Sequence, residues 1–427
     1  MRRKIKWIFI IIVALLTIIF TYFKTYNSYH TYWWYIQSAY LQHKFAANPQ
    51  AKTRVAFVTH NLSLAGAPIM IARLAKLLKQ NNYNVAVLYW INPAIADSFH
   101  AADIPTFEAR MSSLNYDQYI KFLKKHFDVV IVSGDQSLYE HDFIYEHIPT
   151  VFWLHEVNSW LESFQMVMTT DSFAKSLDGI FNPLRALKAA DIVTVSNYVK
   201  KSLQKYPERP IEVIYNAVGY DEVEQSMQKG SSALYQQLMR AKKNKTMFVL
   251  VGRICQEKGV HVLLKAIRKL PPEYQQKSLF YIIGMQDRKY VDKLKKKYKH
   301  LQNVIYTGTL HGEDLNDYYR SADVMLVPSI IPDSAPCVVT EAALYHVPSI
   351  ISDTVGSDYL IKDQQSGLVV KAKSSNDLRD KIMYFIDHPE QIVKMGDAAY
   401  QEFLNTSTTD VFFKRWDEKI QRKLHEK

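Results

Sequence analysis

The chain alternates short apolar runs with longer amphipathic stretches, and it does so in two successive series. Apolar runs bounded by polar and turn residues are typical of buried strands, whereas apolar positions at helical spacing are typical of surface helices. The first series predicts strands at 54–59, 84–90, 129–133, 150–155, 191–196 and 212–215. Helices at 69–80 and 198–205 lie between them. The second series begins at Thr246 and predicts strands at 280–284, 303–308, 323–327 and 349–352. Strands alternating with helices predict two doubly wound α/β sheets.

The length of the chain agrees with two domains. Its 427 residues exceed what one hydrophobic core usually supports. We predict an N-terminal domain at 51–225 and a second domain at 226–390, followed by C-terminal helices at 391–427. The polar segment 219–245, rich in Lys, Gln and Ser, is the predicted linker. The cleft between the two domains is the predicted active site.

Residues 1–50 form a separate N-terminal segment. After Arg2, Arg3, Lys4 and Lys6 comes an uncharged apolar run at 7–23, at the short end of what a membrane-spanning helix needs. No small-x-small cleavage site follows, which favours an uncleaved anchor over a signal peptide. The Tyr- and Trp-rich stretch 25–41 suits the headgroup region, or it packs against the protein.

The anchor raises a question of orientation. The positive-inside tendency places Arg2 to Lys6 in the cytosol and the domains across the membrane. A monotopic or re-entrant N-terminus would instead leave the domains on the cytosolic side.

Composition narrows the function classes. A hydrophobic content of 48% excludes a disordered chain, and two cysteines are too few for a disulfide framework, which favours a reducing compartment. The net charge of +11 would suit nucleic acid, but no helix-turn-helix or zinc-finger signature accompanies it, so no nucleic acid is expected. The lysine-rich stretch 293–299 is either a solvated helix face or a surface that meets anionic lipid.

Two carboxylates stand out in the segment 328–370. Asp333 and Glu341 lie eight residues apart, after the strand at 324–327 and across a Pro/Ser-rich loop that leads into a short helix. We predict Glu341 in the first turn of that helix. Ligands of parallel sheets bind at the carboxyl ends of strands, where helix N-termini offer N–H donors to phosphate, and Glu341 could accept hydrogen bonds from ribose hydroxyls. Alternatively, Asp333 caps the helix and Glu341 only complements its dipole.

Two cations accompany a second strand. A strand ends at Val251, Gly252 opens a turn, and Arg253 and Lys258 flank the loop before an amphipathic helix. An Arg fork and a Lys point charge together suit a diphosphate and can stabilise charge on a leaving group. The alternative is a pair of solvated loop cations.

With these residues in view, the chain resembles glycosyltransferase family 4, a family of retaining enzymes with the GT-B fold. The resemblance extends over roughly residues 54–420. It rests on the order and spacing of several motifs. They are Gly252-Arg253 followed by Lys258-Gly259, the acidic pair Asp333 and Glu341, VPSI at 347–350, Val355-Gly356, HNLSLAGAP at 60–68, VFWLHE at 151–156 and VSNYVKKSL at 195–203.

The resemblance implies roles for these residues. Arg253 and Lys258 would contact the donor diphosphate, Glu341 the ribose, and Asp333 the sugar or the reaction centre. His155 would lie near the transferred sugar. Gly66 would let backbone approach the phosphates, unless it serves only a tight turn. The donor site would also include Gly252, Cys337 and Val338. The last helical stretch, 410–424, would cross back onto the N-terminal domain.

The chain departs from the family pattern in three places. The usual first Glu of the acidic pair is Asp333, one methylene shorter, and the Gly-Phe-Gly that often follows is Ser334-Ala335-Pro336. The usual Gly-Gly of the N-terminal loop is Ala65-Gly66. These changes concern the identity of the donor more than the fold, since a carboxylate and a glycine remain.

Other chemistries lack their motifs. No two glycines stand two apart, so the dinucleotide fingerprint G-x-G-x-x-G is absent. The chain also contains no G-x4-G-K-[ST] P-loop, no D-x-D triplet and no His/Cys cluster at metal-ligand spacing. We therefore predict a metal- and cofactor-independent retaining glycosyltransferase. It would move a sugar from a UDP- or GDP-linked donor to a lipid-linked or envelope glycan acceptor. Because nucleotide sugars of bacterial-type cells are cytosolic, we predict a protein attached to the bacterial inner membrane with its catalytic domain in the cytosol. The alternatives are an inactive nucleotide-sugar-binding scaffold and a nucleotide-sugar epimerase of the same fold.

Overall fold

The computed structural model describes residues 33–51, 53–63, 65–109, 116–134, 137, 143–156, 183–206, 208–219 and 232–426. The apolar run 7–23 and the first half of the predicted linker lie outside these ranges. No helix within them combines the length and the hydropathy that crossing a bilayer requires. The first helix described, α1, spans 33–46.

The N-terminal series of strands forms a seven-stranded sheet. Its strands are β1 (Thr53–Asn61), β2 (Tyr83–Ile91), β3 (Thr106–Glu108), β4 (Val129–Ser133), β5 (Thr150–Leu154), β6 (Asp191–Thr194) and β7 (Glu212–Val213), in the order β3-β2-β1-β4-β5-β6-β7. Its helices are α2 (Gly66–Gln80), α3 (Ala96–His100), α4 (Tyr116–His126), α5 (Pro183–Ala189) and α6 (Asn197–Leu203), and Ile144–Glu146 form a 3₁₀ turn. The central strands β4 and β5 are buried throughout, as expected of a parallel sheet with both faces covered.

The C-terminal series forms a six-stranded sheet in the order β10-β9-β8-β11-β12-β13. Its strands are β8 (Thr246–Val251), β9 (Ser278–Ile283), β10 (Val304–Gly308), β11 (Val324–Val327), β12 (Ser349–Ser352) and β13 (Gly367–Val370), and every neighbouring pair is parallel. The helices are α7 (Ala233–Lys242), α8 (Val260–Arg268), α9 (Pro272–Gln276), α10 (Arg288–Lys297), α11 (Gly312–Ser321), α12 (Cys337–Leu344), α13 (Ser375–Asp387), α14 (Pro389–Thr406) and α15 (Thr409–His425).

Strand β8 shows how this sheet builds its core. Met247 and Val249 belong to one buried apolar cluster, whereas Phe248 and Leu250 belong to another. Side chains alternate between the two faces of a strand, so each face of the sheet carries one cluster. Both faces are therefore covered, which explains the nearly continuous apolar sequence of the strand.

The predicted strands agree with the observed ones, with a few differences in extent. Strands β4 and β12 have the predicted bounds, whereas β5, β6 and β7 end one or two residues early. The short strands β3 and β13 were not predicted, because the sequence of β3, TFE, contains one apolar residue and that of β13, GLVV, begins with a glycine, which is typical of a turn. Helix α2 begins at Gly66 rather than Ile69, with Pro68 in its first turn, where proline is tolerated. Helix α7 occupies part of the segment interpreted as a linker.

The described residues divide into two compact units. The first contains those before residue 153, those at 183–191 and those from 420 onward, and the second contains 153–156 and those from 192 to 419. The last turns of α15 belong to the first unit. There Gln421 Nε2 donates a hydrogen bond to the Tyr83 hydroxyl, at 2.8 Å, and Lys423 forms an ion pair with Asp191.

Helix α1 packs on the first unit along one side. Trp34 and Leu41 are buried, and the Trp34 ring lies 4.6 Å from that of Phe122, on α4. Ser38 Oγ lies 2.6 Å from His126 Nε2, also on α4. The predicted alternative, that the aromatic stretch packs against the protein, therefore holds for this side of α1.

Candidate functional site

Two glycines shape the carboxyl ends of β8 and β9. Gly252 has a φ of +143° and donates its N–H to the Ile283 carbonyl at 3.0 Å. A Cβ on Gly284 would lie 1.9 Å from the Gly252 carbonyl oxygen, so only glycine fits there. Sequence reasoning named Gly252 but missed Gly284. The sequence feature that could have identified Gly284 is its position directly after a strand.

The loop after Gly252 carries the two predicted cations. Arg253 is exposed and Lys258 is partly buried. Between them lies Glu257, whose pKa is lowered mainly by a hydrogen bond from the Cys255 thiol and further by Arg253 and Lys258. Burial raises the pKa of the Cys255 thiol, which keeps it protonated and able to donate that bond. The loop is therefore cationic at both ends, with one acid between them.

Backbone contacts join this loop to the end of β11. Gly259 caps α8 with a φ of +70°, and a Cβ there would lie 1.8 Å from the Pro328 carbonyl oxygen. Ile330 donates its N–H to the Glu257 carbonyl at 2.8 Å. Since strands β8 and β11 are neighbours, their following loops meet. Any side chain at residue 259 would separate them.

This meeting of loops brings two predicted site residues together. Lys258 Nζ lies 2.5 Å from Asp333 Oδ2, with 29% and 15% of the two side chains exposed. The same oxygen accepts a hydrogen bond from Ser329 Oγ at 2.9 Å. Asp333 thus forms an ion pair inside the site. It does not cap α12, because the N-cap residue of that helix is Pro336.

The backbone around Asp333 is held by the loop after β12. The Asp333 N–H donates to the Thr354 carbonyl at 3.0 Å, and its carbonyl accepts from the Gly356 N–H at 2.8 Å. Ser352 Oγ and Thr354 Oγ1 both donate to the Ser329 carbonyl, at 2.6 and 2.9 Å. These bonds fix the loop that presents the carboxylate. The VSNYVKKSL motif contributes a further hydrogen bond to this loop.

Ser196, within that motif, reaches the residue after Asp333. Its Oγ donates to the Ser334 carbonyl at 2.5 Å and accepts from the Val199 N–H at the start of α6. A Cβ on Gly356 would lie 2.0 Å from the same carbonyl oxygen and 2.9 Å from Ser196 Oγ. All of these residues belong to the second unit. Sequence reasoning noticed both motifs but assigned no role to Ser196 or Gly356.

Glu341 lies deeper in α12 than the sequence suggested. It is the fifth residue of a helix whose first turn contains no acidic residue, so its predicted first-turn position is wrong. The helix begins late because Pro336, and not Asp333, is its N-cap. Cys337 and Val338 are its first two residues, so they lie at the end of the helix where the aligned peptide dipoles favour negative charge.

The partner of Glu341 is a buried tyrosine that sequence reasoning missed. Tyr319, on α11, donates its hydroxyl hydrogen to Glu341 Oε2. Burial, and then the neighbouring Glu341 carboxylate, raise the pKa of Tyr319 well above its ordinary value. The phenol therefore stays protonated and orients the carboxylate. Its only sequence signal was the helical spacing of apolar and aromatic residues in α11.

His155 follows strand β5 and is almost completely buried, with 7% of its surface exposed. Burial lowers its pKa to about 3, so the imidazole is neutral near pH 7. Its ring lies 4.5 Å from that of Trp153, which packs in turn against Trp416 at 4.8 Å. A neutral imidazole can exchange hydrogen bonds with a hydroxyl but contributes no positive charge.

Gly66 lies in the first unit, as the first residue of α2. The preceding Ala65 is the N-cap residue and forms no side-chain capping bond. Gly66 does not have a positive φ, and a Cβ there would meet no atom of the described residues within 4 Å. The alternative of a tight turn that demands glycine is therefore wrong. What the glycine leaves at this helix N-terminus is open space.

Comparisons with known proteins show what the chain is similar to. Residues 235–402 match the family model for glycosyl transferases group 1. An uncharacterized glycosyltransferase of Methanocaldococcus jannaschii is 26% identical over 240 residues, which are 55% of this chain and 58% of that protein. The UDP-Gal:alpha-D-GlcNAc-diphosphoundecaprenol alpha-1,3-galactosyltransferase of Escherichia coli is 26% identical over 168 residues, which are 38% of this chain and 41% of that enzyme.

Structural similarity extends further along the chain than sequence similarity. Anabaena HepE, solved with UDP and also with UDP-glucose, superposes with a TM-score of 0.72 in the UDP complex. It is 17% identical, and the alignment covers 86% of this chain and 100% of that one. By contrast, the chain spans about half the length of the curated relatives it matches.

These findings define the fold of the chain. It has the GT-B fold, with two Rossmann-like parallel sheets, and its residues 235–402 match the family model for glycosyl transferases group 1. The predicted GT-B fold with two doubly wound domains is thereby confirmed, whereas the predicted anchor helix lies outside the described residues. The matched domain contains Arg253, Lys258, Asp333 and Glu341.

Proposed function

We propose that the protein is a retaining glycosyltransferase, similar to family 4, that transfers a sugar from a nucleoside diphosphate sugar. The observation that carries this proposal is the contact of Lys258 with Asp333 beside the first turn of α12. A cation, a carboxylate and a helix N-terminus at the carboxyl ends of parallel strands are what a donor with a diphosphate and a sugar requires.

In the reaction, the bond between the anomeric carbon and the diphosphate oxygen breaks, the acceptor oxygen bonds to the anomeric carbon, and the proton of the acceptor hydroxyl passes to the departing diphosphate. Negative charge builds on the departing diphosphate. Lys258 and Arg253 stabilise this charge, aided by the first-turn amides of Cys337 and Val338 and by the close backbone at Gly252. Interactions that strengthen as the charge develops accelerate the chemical step.

Three further residues position the donor. Glu341, oriented by Tyr319, accepts hydrogen bonds from the ribose hydroxyls. Asp333 lies beside the sugar. His155, neutral and buried, exchanges hydrogen bonds with a sugar hydroxyl. Gly66 contributes open space at a second helix N-terminus, where backbone and phosphate could approach closely.

We further propose that the donor is a UDP-sugar and that neither a metal ion nor a cofactor takes part. Anabaena HepE, of the same fold, was solved with UDP and UDP-glucose, and the name of the Escherichia coli relative specifies UDP-Gal. A GDP-linked sugar is the other candidate. Arg253 and Lys258 would supply the positive charge that a divalent ion supplies elsewhere.

A lipid-linked acceptor at a membrane is the last part of the proposal. The name of the Escherichia coli relative specifies a diphosphoundecaprenol acceptor. The apolar run 7–23 would keep an enzyme close to such a substrate. We place the catalytic residues on the cytosolic side of a bacterial inner membrane, where nucleotide sugars are found.

The test is release of nucleoside diphosphate by the detergent-solubilised full chain. UDP-, GDP- and ADP-sugars would be supplied with membrane lipid extract, with and without a chelator. We expect release from one UDP-sugar, unaffected by the chelator and lost in Lys258→Ala and Glu341→Ala. Lys394→Ala, an exposed cation on α14, is the matched control and should retain full release.

Two outcomes would favour the alternatives. Donor binding without release, even with lipid extract, would favour an inactive scaffold. Conversion of one nucleotide sugar into another without an acceptor would favour an epimerase. Nucleoside diphosphate release that depends on a divalent ion would contradict only the metal-independent part of the proposal and would leave the glycosyltransferase activity in place.

A further inference from the structure

The outward side of α1 is unusual for a surface helix. Its exposed positions carry no Lys, Arg, Asp or Glu, although polar and charged residues normally occupy the solvent side of such a helix. These positions are Tyr35, Ile36, Ala39, Tyr40, Gln42, His43 and Ala46. The helix is therefore poorly matched to water on the side that does not face the protein.

Three of these side chains are large and apolar. Tyr35, Ile36 and Tyr40 are 71%, 47% and 43% exposed. They are three of the ten large hydrophobic side chains that are exposed in the described part of the chain, and they fall within six consecutive residues. A concentrated apolar patch marks an interaction surface, whereas scattered single residues do not.

The sequence before α1 indicates what this patch contacts. Nine residues, 24–32, separate the apolar run 7–23 from Trp33. The chain from residue 23 to residue 33 therefore spans no more than about 36 Å when fully extended. If the run enters a bilayer, α1 must lie near the surface of that bilayer. Tyr and Trp side chains are enriched at this depth, and amphipathic helices lie there in the plane of the membrane.

The helix against which α1 packs, α4, carries exposed cations. Lys121, Lys124 and Lys125 are exposed on α4, and Lys125 Nζ donates a hydrogen bond to Ser38 Oγ of α1 at 3.0 Å. A basic group next to an apolar patch suits anionic headgroups, which attract cations within a Debye length of the surface. A second protein would gain less from this arrangement, because protein interface cores are depleted of lysine.

We propose that the outward side of α1, defined by Tyr35, Ile36 and Tyr40, rests on an anionic phospholipid bilayer. The inference depends on the membrane location in the proposed function, and it adds a fixed contact surface. Trp34 and Ser38 lock α1 onto α4, and Lys44 forms an ion pair with Asp103 at 2.6 Å. The contact therefore orients the first unit, with α4 towards the bilayer, and does not merely tether it.

Site-specific photo-crosslinking tests this surface in the full chain. A p-benzoyl-L-phenylalanine residue would replace Ile36 or Tyr40 in protein reconstituted into vesicles of phosphatidylcholine and phosphatidylglycerol. We expect lipid adducts at both positions. The same residue at Val393, which is 64% exposed on α14, is the control and should give none.

The identity of the crosslinked products shows what contacts the outward side of α1. Adducts to a second copy of the chain, or to the chain's own residues 1–32, in place of lipid would overturn the proposal. So would equal lipid labelling at positions 36 and 393. Lys121→Gln combined with Lys124→Gln should reduce the lipid adducts at residue 36 in anionic vesicles to the yield in pure phosphatidylcholine. An unchanged yield would contradict the proposed attraction between these lysines and anionic headgroups.

Donor release by the same proteins keeps the two proposals separate. Crosslinking to lipid needs no catalysis, so it can succeed in a protein that releases no nucleoside diphosphate. Conversely, sugar transfer without lipid adducts at residues 36 and 40 would leave the enzyme in place and remove the contact surface.

Discussion

Lys258 Nζ lies 2.5 Å from Asp333 Oδ2, although 75 residues separate them in the chain. The cation proposed to bind the diphosphate and the carboxylate proposed to lie beside the sugar are therefore direct partners. Ser329 Oγ adds a second hydrogen bond to the same carboxylate oxygen. Asp333 can thus act on the donor directly, or through the position of Lys258.

Binding of UDP alone separates these two roles of Asp333. If Asp333 holds Lys258 in place, Asp333→Asn should weaken the affinity for UDP, which has no sugar, by about tenfold, or about 1.4 kcal/mol. The change should be non-additive with Lys258→Met, because the two residues share one contact. Isothermal titration calorimetry would measure both.

Two further binding measurements complete that comparison, one with the variant Asp333→Glu and one with the UDP-sugar as ligand. Glutamate restores the charge and should recover much of the affinity for UDP. Unchanged UDP affinity in Asp333→Asn, together with weaker binding of the UDP-sugar, would show that Asp333 acts only on the sugar. Absence of UDP binding in the wild-type protein would instead count against the proposed function.

Tyr319→Phe should raise the donor KM several-fold while kcat changes little. The hydroxyl orients Glu341, and ribose contacts are made equally in the ground state and the transition state, so their loss appears in KM. Stacking on Tyr345, at 5.6 Å between ring centroids, is retained by phenylalanine. Steady-state kinetics would measure the change.

The control for this variant is Tyr318→Phe on the same helix. Tyr318 packs edge-on against Tyr281 at 5.0 Å, within the core of the second unit. Equal effects of the two substitutions would indicate that Tyr319 has only a packing role.

Gly259→Ala should destabilise the protein by at least about 1–2 kcal/mol, the cost of a left-handed backbone for an L-residue. Overlap with the Pro328 carbonyl adds to that cost and displaces the loop of Lys258. Thermal unfolding and donor KM should both worsen. A variant with wild-type stability and activity would refute the close contact of the two loops.

Gly66→Ala is expected to behave in the opposite way. Its Cβ meets open space, so the free energy of unfolding should change by less than about 0.5 kcal/mol. If backbone approach to phosphate requires the glycine, donor KM should rise at unchanged thermal stability. Unchanged KM would remove Gly66 from the proposed donor site.

Acidification should destabilise the fold through His155. Its pKa in the folded protein is about 3, whereas the unfolded chain takes up the proton near pH 6.5. Stability is therefore complete above about pH 6.5 and falls on acidification towards pH 3, by up to roughly 1.4 kcal/mol per pH unit. His126 adds in the same direction, since burial lowers its pKa to about 4.

Thermal unfolding of the wild type and of His155→Asn, from about pH 7.5 to about pH 5.5, checks this linkage. The variant starts less stable but should lose less on acidification, because one of the two buried imidazoles is absent. Parallel declines in the two proteins would show that His155 does not carry the effect.

Local sequence determined where most strands lie. Runs such as Val129–Ser133 and Ser349–Ser352 are short, apolar and bounded by turn residues, so burial and strand propensity agree within each run. The same local reasoning failed at the start of α12, where it predicted Glu341 in the first turn and offered Asp333 as an alternative helix cap. The N-cap residue is Pro336, and the Asp333 carboxylate forms an ion pair with Lys258.

The sequence by itself thus determined two alternating α/β series and the residue types near the donor. The tertiary structure decided which of those residues meet. Periodicity reports the burial of each strand but not which strands become neighbours, and the loops of Lys258 and Asp333 meet because β8 lies next to β11. Tyr319 and Ser196 became part of the site for the same physical reason. Their partners lie 22 and 138 residues away along the chain, and only the packing of the sheets and helices brings them into contact.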